Sequence, residues 1–209
     1  MDAIIFDIDG TLWDSRQVVA DAWNRVVQED QGYFPGYTGE NISYLFGKTM
    51  TEIADLLFPD LEPENRYRLA RLCFVGENEE LERRPGDFYP GVLETIPLLA
   101  RKYPLYIVSN CQAGYIDLVV KHSGLAHCFR GGMCFDDTHL PKGENLRLLA
   151  QREGLTAPVY VGDTQGDWEA CQRAGRPMIF ASYGLGLVHD PIPTIERFDQ
   201  LLEYVDGEI

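Results

Sequence analysis

The stretch MDAIIFDIDGTLWDS (residues 1–15) drives an apolar run, Ile4-Ile5-Phe6, straight into two carboxylates, Asp7 and Asp9. Residues 3–8 read as a buried strand. Alternate residues of an extended strand share a side, so Asp7 and Asp9 are expected to point one way and Ile8 the other. Two carboxylates at one strand end, followed by Gly10-Thr11, need a partner that tolerates concentrated negative charge.

Downstream, Val18, Val19, Ala22, Trp23, Val26 and Val27 recur at helical spacing and place a helix from about Ser15. DQGYFPGYTGENIS (30–43) reads as a loop, and 43–58 and 62–83 as helices. RRPGDFYPG (83–91), with two Pro-Gly units, breaks the pattern. Helix and strand then alternate: helix 92–102, strand 105–109, helix 114–123, a short strand near 132–135, helix 144–153, strand 158–162, helix 165–174, strand 177–181 and a last helix over 194–205. That alternation means βαβ units and a mainly parallel sheet covered on both faces. The first strand therefore belongs with the later residues, giving a core of 1–15 and 85–209 interrupted by a helical block at 16–84.

The chain of 209 residues carries a formal net charge of −15 and a pI near 4.6. Such a balance opposes binding to nucleic acid and to anionic membranes, both of which need a basic surface. No run approaches the ~20 apolar residues of a membrane span, and no basic leader with an apolar stretch begins the chain. Five scattered cysteines, without a C-x-x-C pair, fit reduced thiols in a cytoplasmic protein. Cys111 reads as a small packing residue or a redox-active thiol. The four histidines lack ligand spacing.

Ligands of open α/β sheets bind beyond the carboxyl ends of the strands. Those ends carry Asp7-Ile8-Asp9-Gly10-Thr11, Ser109-Asn110 and Gly162-Asp163, with Asp167 four residues on and Lys142 ahead of the helix entering the 158–162 strand. Singly, each suits a cap or a turn; together they fit phosphoryl transfer. Asp7, Asp9 and Asp163 would repel one another without a hard cation, and Mg²⁺ takes oxygen ligands. A carboxylate can also attack phosphorus, while Ser109 and Lys142 could hold phosphoryl oxygens. An EF-hand loop fails, because Gly10 falls at position four and Val18 at twelve. The G-x-G of YGLGLV (183–188) lies too late for a dinucleotide fingerprint.

In motif order the chain resembles the haloacid dehalogenase-like hydrolase superfamily: DIDGT (7–11), VSN (108–110), Lys142 and GDTQGD (162–167). FYPGV (88–92) is similar to the re-entry segment of members with a helical cap inserted after the first motif. K-G at 142–143 departs from the usual K-P. The resemblance implies a Rossmann-like three-layer core with strand order 5-4-1-2-3. It implies Asp7 as nucleophile and Mg²⁺ ligand, and Asp9 as general acid/base that lends its backbone carbonyl to the metal. Asp163 and Asp167 would complete the metal site, and Thr11, Ser109, Asn110 and Lys142 would bind phosphate. Haloacid dehalogenases lack the second acid, which halide displacement does not need, so Asp9 points to phosphate esters.

The helical block would act as a lid. Its candidate contacts with substrate lie in the 33–37 loop and around GKTM (47–50), where Lys48 is the block's single lysine. Lys48 would either hold a distal anionic group or sit solvated at a helix start. In β-phosphoglucomutase-like members this segment reads G-x-S-R; Thr49-Met50 stand there instead. Phosphoglycolate-phosphatase-like members match better in length, cap type and first motif. Trp13 and Trp168 either wall the site or pack. The expectation is a phosphatase of a small phosphorylated metabolite, monomeric or homodimeric, the alternatives being a sugar phosphomutase and a non-catalytic binding protein.

Overall fold

The computed structural model describes residues 1–207. In chain order its elements are β1 (Ala3–Phe6), β2 (Trp13–Asp14), α1 (Arg16–Gln31), α2 (Met50–Leu57), α3 (Pro63–Arg83), β3 (Asp87–Phe88), α4 (Val92–Ala100), β4 (Leu105–Val108), α5 (Tyr115–Ser123), β5 (Phe129–Met133), α6 (Phe135–Thr138), α7 (Lys142–Glu153), β6 (Pro158–Gly162), α8 (Gln165–Ala174), β7 (Met178–Ala181), β8 (Thr194–Ile195) and α9 (Gln200–Asp206).

Six strands form one parallel sheet in the order β5-β4-β1-β6-β7-β8. Five of them reproduce the expected 5-4-1-2-3 arrangement, and β8 adds an edge strand beyond it. Each strand's alternation divides its apolar residues between two faces. Ile4, Phe6, Ile107 and Val161 pack with residues of α4, α5 and α9, such as Ile96, Val119 and Leu201. Ala3, Ile5, Tyr106 and Tyr160 face Leu146 and Leu149 of α7 and Cys171 of α8. Burial on both faces is why these strands read as continuous apolar runs rather than alternating ones.

The helices α1, α2 and α3 lie between β2 and β3, which pair antiparallel, Trp13 opposite Phe88 and Asp14 opposite Asp87. This two-stranded ribbon, unseen in the sequence, brings the chain out of the sheet and back through one narrow neck. α1 packs along α3, and Trp23, Val27, Leu69 and Cys73 join a core continuous with that of the sheet.

Several expected boundaries move. β1 ends at Phe6, not at residue 8. The 43–58 helix is broken: a single 3-10 turn at Ser43–Leu45 ends before Gly47, at φ +84°, and α2 restarts under Thr49. There the Thr49 hydroxyl accepts the Glu52 amide while Glu52 accepts the Thr49 amide (2.8 Å), a reciprocal cap. The strand near 132–135 runs over Phe129–Met133, and residues 135–138 form the helical turn α6. α7 starts at Lys142, two residues early, so Lys142 opens the helix rather than preceding it. The 194–205 helix is instead β8 followed by α9, because Thr194-Ile195 extend the sheet edge beside β7.

Candidate active site

The strands β4, β1 and β6 are neighbours, so the polar residues after them meet at one sheet edge. The ladder runs one step past β1, the Asp7 amide donating to the Val161 carbonyl (2.9 Å). Asp7 is thus held by backbone on a rigid strand, and its side chain is buried, at 2% exposure.

Lys142 reaches this point from the first turn of α7. Its Nζ donates to Asp7 Oδ2 (2.8 Å) and to Asp167 Oδ1 (2.5 Å) and stands 5.6 Å from the centre of the Tyr160 ring. Asp167 lies in the first turn of α8 and is engaged at both oxygens. Its Oδ2 accepts from the Asp163 amide, the Thr164 amide and the Thr164 hydroxyl. Asp163 Oδ2 accepts the amides of Leu185 (2.8 Å) and Gly186 (3.2 Å), and its Oδ1 faces the Thr11 hydroxyl (3.3 Å). Asp7 Oδ1, buried, has no partner.

Among the described residues, Asp7, Asp163 and Asp167 bring carboxylate oxygens within 4.8 Å of one another. Burial pushes Asp7 above the usual carboxylate range; Lys142 pulls it back and Asp167 pushes it up again. Asp163 is raised well above that range by burial, then by Asp167 and Asp7. Burial would lower the Lys142 ammonium, but Asp167 and Asp7 outweigh it and hold the proton on. One ammonium among three carboxylates leaves an excess of negative charge. A divalent cation fits it: the donors are hard oxygens, and Asp7 Oδ1 is a buried acceptor without a donor.

Asp9 stands apart from this cluster, against the simple alternation expected of an extended strand. The chain turns directly after β1: the Ile8 carbonyl accepts the amides of Thr11, Leu12 and Trp13, and Gly10 takes φ +82°. A Cβ on Gly10 would lie 2.0 Å from Asp163 Oδ2, so only glycine lets the turn pass over that carboxylate. The Asp9 side chain is carried to Trp13 Nε1 (3.2 Å), Ser15 Oγ (2.7 Å) and Tyr115 OH (2.7 Å), all directed at Oδ1. Burial raises its carboxyl to about 6 although the Ser15 and Tyr115 bonds lower it.

A cavity opens between the strand ends and the helical segment. Asp9, Ser109, Asn110 and Cys111 line it from the sheet side; Trp23, Lys48, Phe74 and Glu77 line it from the helices. Lys48 therefore does share a cavity with the strand-end residues. The 33–37 loop does not line it: Tyr33 and Phe34 are exposed, and Tyr37 packs edge-on against Trp23. Asn110 spends its side chain on structure, donating to the Gly47 carbonyl (2.9 Å) and accepting the Lys142 amide (3.1 Å). The Thr11 hydroxyl is spent on Asp163. Trp13 is fully buried against Phe88 and Tyr115, and Trp168 packs in the core on the other sheet face, so neither tryptophan walls the cavity.

Four features escaped the sequence reading. Ser15 and Tyr115 hold Asp9, Glu77 enters the cavity from α3, and the Gly184–Gly186 turn wraps Asp163. A Cβ on Gly184 would meet the Gly10 carbonyl at 2.2 Å. The G-x-G at 184–186, read only against the dinucleotide fingerprint, was the available signal for a close backbone approach. Glu77 carried none, since it sits in the charged run GENEELERR.

The family pattern described as haloacid dehalogenase-like hydrolase matches residues 4–181. A phosphoglycolate phosphatase of Aliivibrio fischeri is 30% identical over 198 residues, covering 87% of this chain and 84% of the relative. A phosphoglycolate phosphatase of Aquifex aeolicus is 27% identical over 229 residues, covering 100% and 99%. A haloacid dehalogenase-like hydrolase from Streptococcus pneumoniae superposes with a TM-score of 0.83 at 20% identity, covering 98% of both chains. CbbY from Rhodobacter sphaeroides, solved in complex with phosphate, gives 0.80 at 18% identity over 96% of both. A match over 178 consecutive positions, from β1 through β7 (4–181), takes in all four motifs, and the chain belongs to the haloacid dehalogenase-like hydrolases, an enzyme of that family similar to its phosphoglycolate phosphatases.

Proposed function

We propose that this enzyme hydrolyses the phosphate monoester of a small metabolite with Mg²⁺, through an aspartyl-phosphate on Asp7. The observation that carries this reading is the state of Asp7: Lys142 holds Oδ2, while Oδ1 is buried and unpartnered. Such an oxygen has a lone pair free for a cation or an electrophile. The curated relatives named for phosphoglycolate hydrolysis, and the phosphate bound in the CbbY structure, agree with the substrate class.

In the first step an Asp7 oxygen attacks phosphorus and the bond to the leaving oxygen breaks. Asp9, raised to about 6, gives its proton to that oxygen. In the second step water attacks the phosphorus of the acyl phosphate, Asp9 takes the water's proton, and inorganic phosphate leaves with Asp7 restored. Three donors on Oδ1 leave Asp9 Oδ2 to carry the proton. Lys142 and the amides near Gly10 and Asn110 would hold phosphoryl oxygens with Ser109. Asp7, Asp163 and the Asp9 carbonyl would hold the Mg²⁺, and Asp167 would support it by fixing Lys142 and the Asp163 amide. The cation would neutralise the carboxylates and the phosphoryl charge.

The helices of 16–84 would serve as the cap of a core made of 1–15 and 85–209, pivoting on the β2–β3 neck. Lys48 would contact substrate at the cavity wall. Five free cysteines fit a reducing cytoplasm. Hydrolysis of para-nitrophenyl phosphate with Mg²⁺, lost in Asp7→Asn, tests the reading; an Asp7→Asn chain as active as the native one would refute it.

A further inference from the structure

Glu77 is the one acidic side chain that the helical segment places in the cavity wall. It is buried, at 6% exposure, on α3. Its Oε2 accepts from Trp23 Nε1 (2.9 Å) and its Oε1 from Gln112 Nε2 (2.8 Å). Both partners are neutral donors, so each oxygen keeps a lone pair and the acid meets no cation from the protein. Burial lifts its carboxyl to about 8, and Asp9 adds to the rise. Lys48 lines the same cavity, yet its charge is felt by Glu52: against partial burial, Thr49 and then Lys48 hold Glu52 below its usual range.

A buried carboxyl facing a substrate cavity is costly unless something completes its hydrogen bonds. No packing need explains it at this position, since Val19, Met50 and Phe74 supply an apolar wall around it. Resting on the phosphatase reading, we propose that Glu77 accepts a hydrogen bond from a hydroxyl or ammonium at the far end of the leaving group. The donor fills the free lone pair. Trp23 and Phe74, in edge-to-face contact 6.2 Å apart, add aromatic surface that suits an ammonium. Glu77 is thus a selectivity residue, separate from the groups that act on phosphorus.

The test compares kcat/KM of the full chain with Mg²⁺ for glycerol 1-phosphate, ethanolamine phosphate, propyl phosphate and para-nitrophenyl phosphate. The first two should exceed propyl phosphate by about tenfold or more, the worth of one buried hydrogen bond. Which of the two leads identifies the donor as hydroxyl or ammonium. In Glu77→Gln those ratios should shrink to within about threefold, while para-nitrophenyl phosphate, without such a donor, changes little. A merely structural Glu77 would lower all four rates together, and that result overturns the proposal. So does a native chain that turns over propyl phosphate as fast as the first two, a result that needs no variant to fold. Turnover of para-nitrophenyl phosphate combined with the wrong order defeats the selectivity alone; no turnover of any ester defeats the phosphatase reading with it.

Discussion

Lys142 Nζ sits 2.8 Å from Asp7 Oδ2 and 2.5 Å from Asp167 Oδ1, with all three side chains at 3% exposure or less. One ammonium therefore ties the carboxylate after β1 to the carboxylate in the first turn of α8. Its removal leaves both acids uncompensated in a dry site.

Lys142→Met should lower kcat on para-nitrophenyl phosphate by about 10²–10³, the effect of deleting one charged donor at a reacting oxyanion. Stability measured in EDTA should fall by roughly 3–5 kcal/mol, as for other half-removed buried ion pairs. Urea unfolding reads the second effect. An unchanged midpoint would show that the three groups are not coupled as described.

Asp7→Asn should abolish turnover and leave the fold intact. The amide is isosteric, the Asp7 backbone stays in its ladder, and Asp167 still holds Lys142. Circular dichroism and a melt alongside the assay separate loss of chemistry from loss of structure.

Metal removal gives two independent readouts. EDTA should stop hydrolysis and Mg²⁺ restore it. Mg²⁺ should also raise the melting temperature of the native chain, because a cation relieves the repulsion among Asp7, Asp163 and Asp167. In Asp163→Asn that rise should shrink. Turnover indifferent to EDTA removes the metal assignment.

The pH dependence rests on Asp9. In the proposed mechanism its acid form donates the proton in the first step, so kcat/KM should decline as pH rises past about 6. The Tyr115 hydrogen bond favours the charged carboxylate and lowers Asp9. Tyr115→Phe should therefore move the alkaline limb upward, by about one pH unit or less for a bond of this kind. A limb that stays put or moves down would show that Tyr115 does not act through Asp9.

Gly184→Ala should inactivate the enzyme although it replaces no polar side chain. The new methyl would meet the Gly10 carbonyl at 2.2 Å and Asp163 Cβ at 2.4 Å, and both contacts are rigid. Displacing Asp163 breaks its bonds to Leu185 and Gly186, so activity should fall by about two orders of magnitude and weaken Mg²⁺-dependent stabilisation. Full activity would mean that the turn can retreat from Asp163.

The sheet was legible because parallel strands buried on both faces must be apolar throughout: LYIV (105–108) and PVYVG (158–162) could be little else. The order of the strands came through the motif resemblance, not from periodicity. The errors are local and physical. A T-x-x-E cap at Thr49-Glu52 and Gly47 together forbid one helix over 43–58, yet apolar spacing runs through both. The two-residue strands β2, β3 and β8 are too short to show any period, and only their partners define them.

The sequence by itself determined which chemistry-bearing groups the chain owns and that they follow apolar strands, because hydrophobic runs and motif order are properties of the chain. Tertiary structure decided the division of labour. Asp7 and Asp9, two residues apart, part company because the Gly10 turn sends one carboxylate to Lys142 and the other to Ser15 and Tyr115. Tyr115 lies 106 residues from its partner in the chain, and Glu77 reaches the cavity only because α3 folds over the strand ends. Contacts over such separations leave no periodic trace in sequence; they exist because the sheet and the neck fix where each helix must lie.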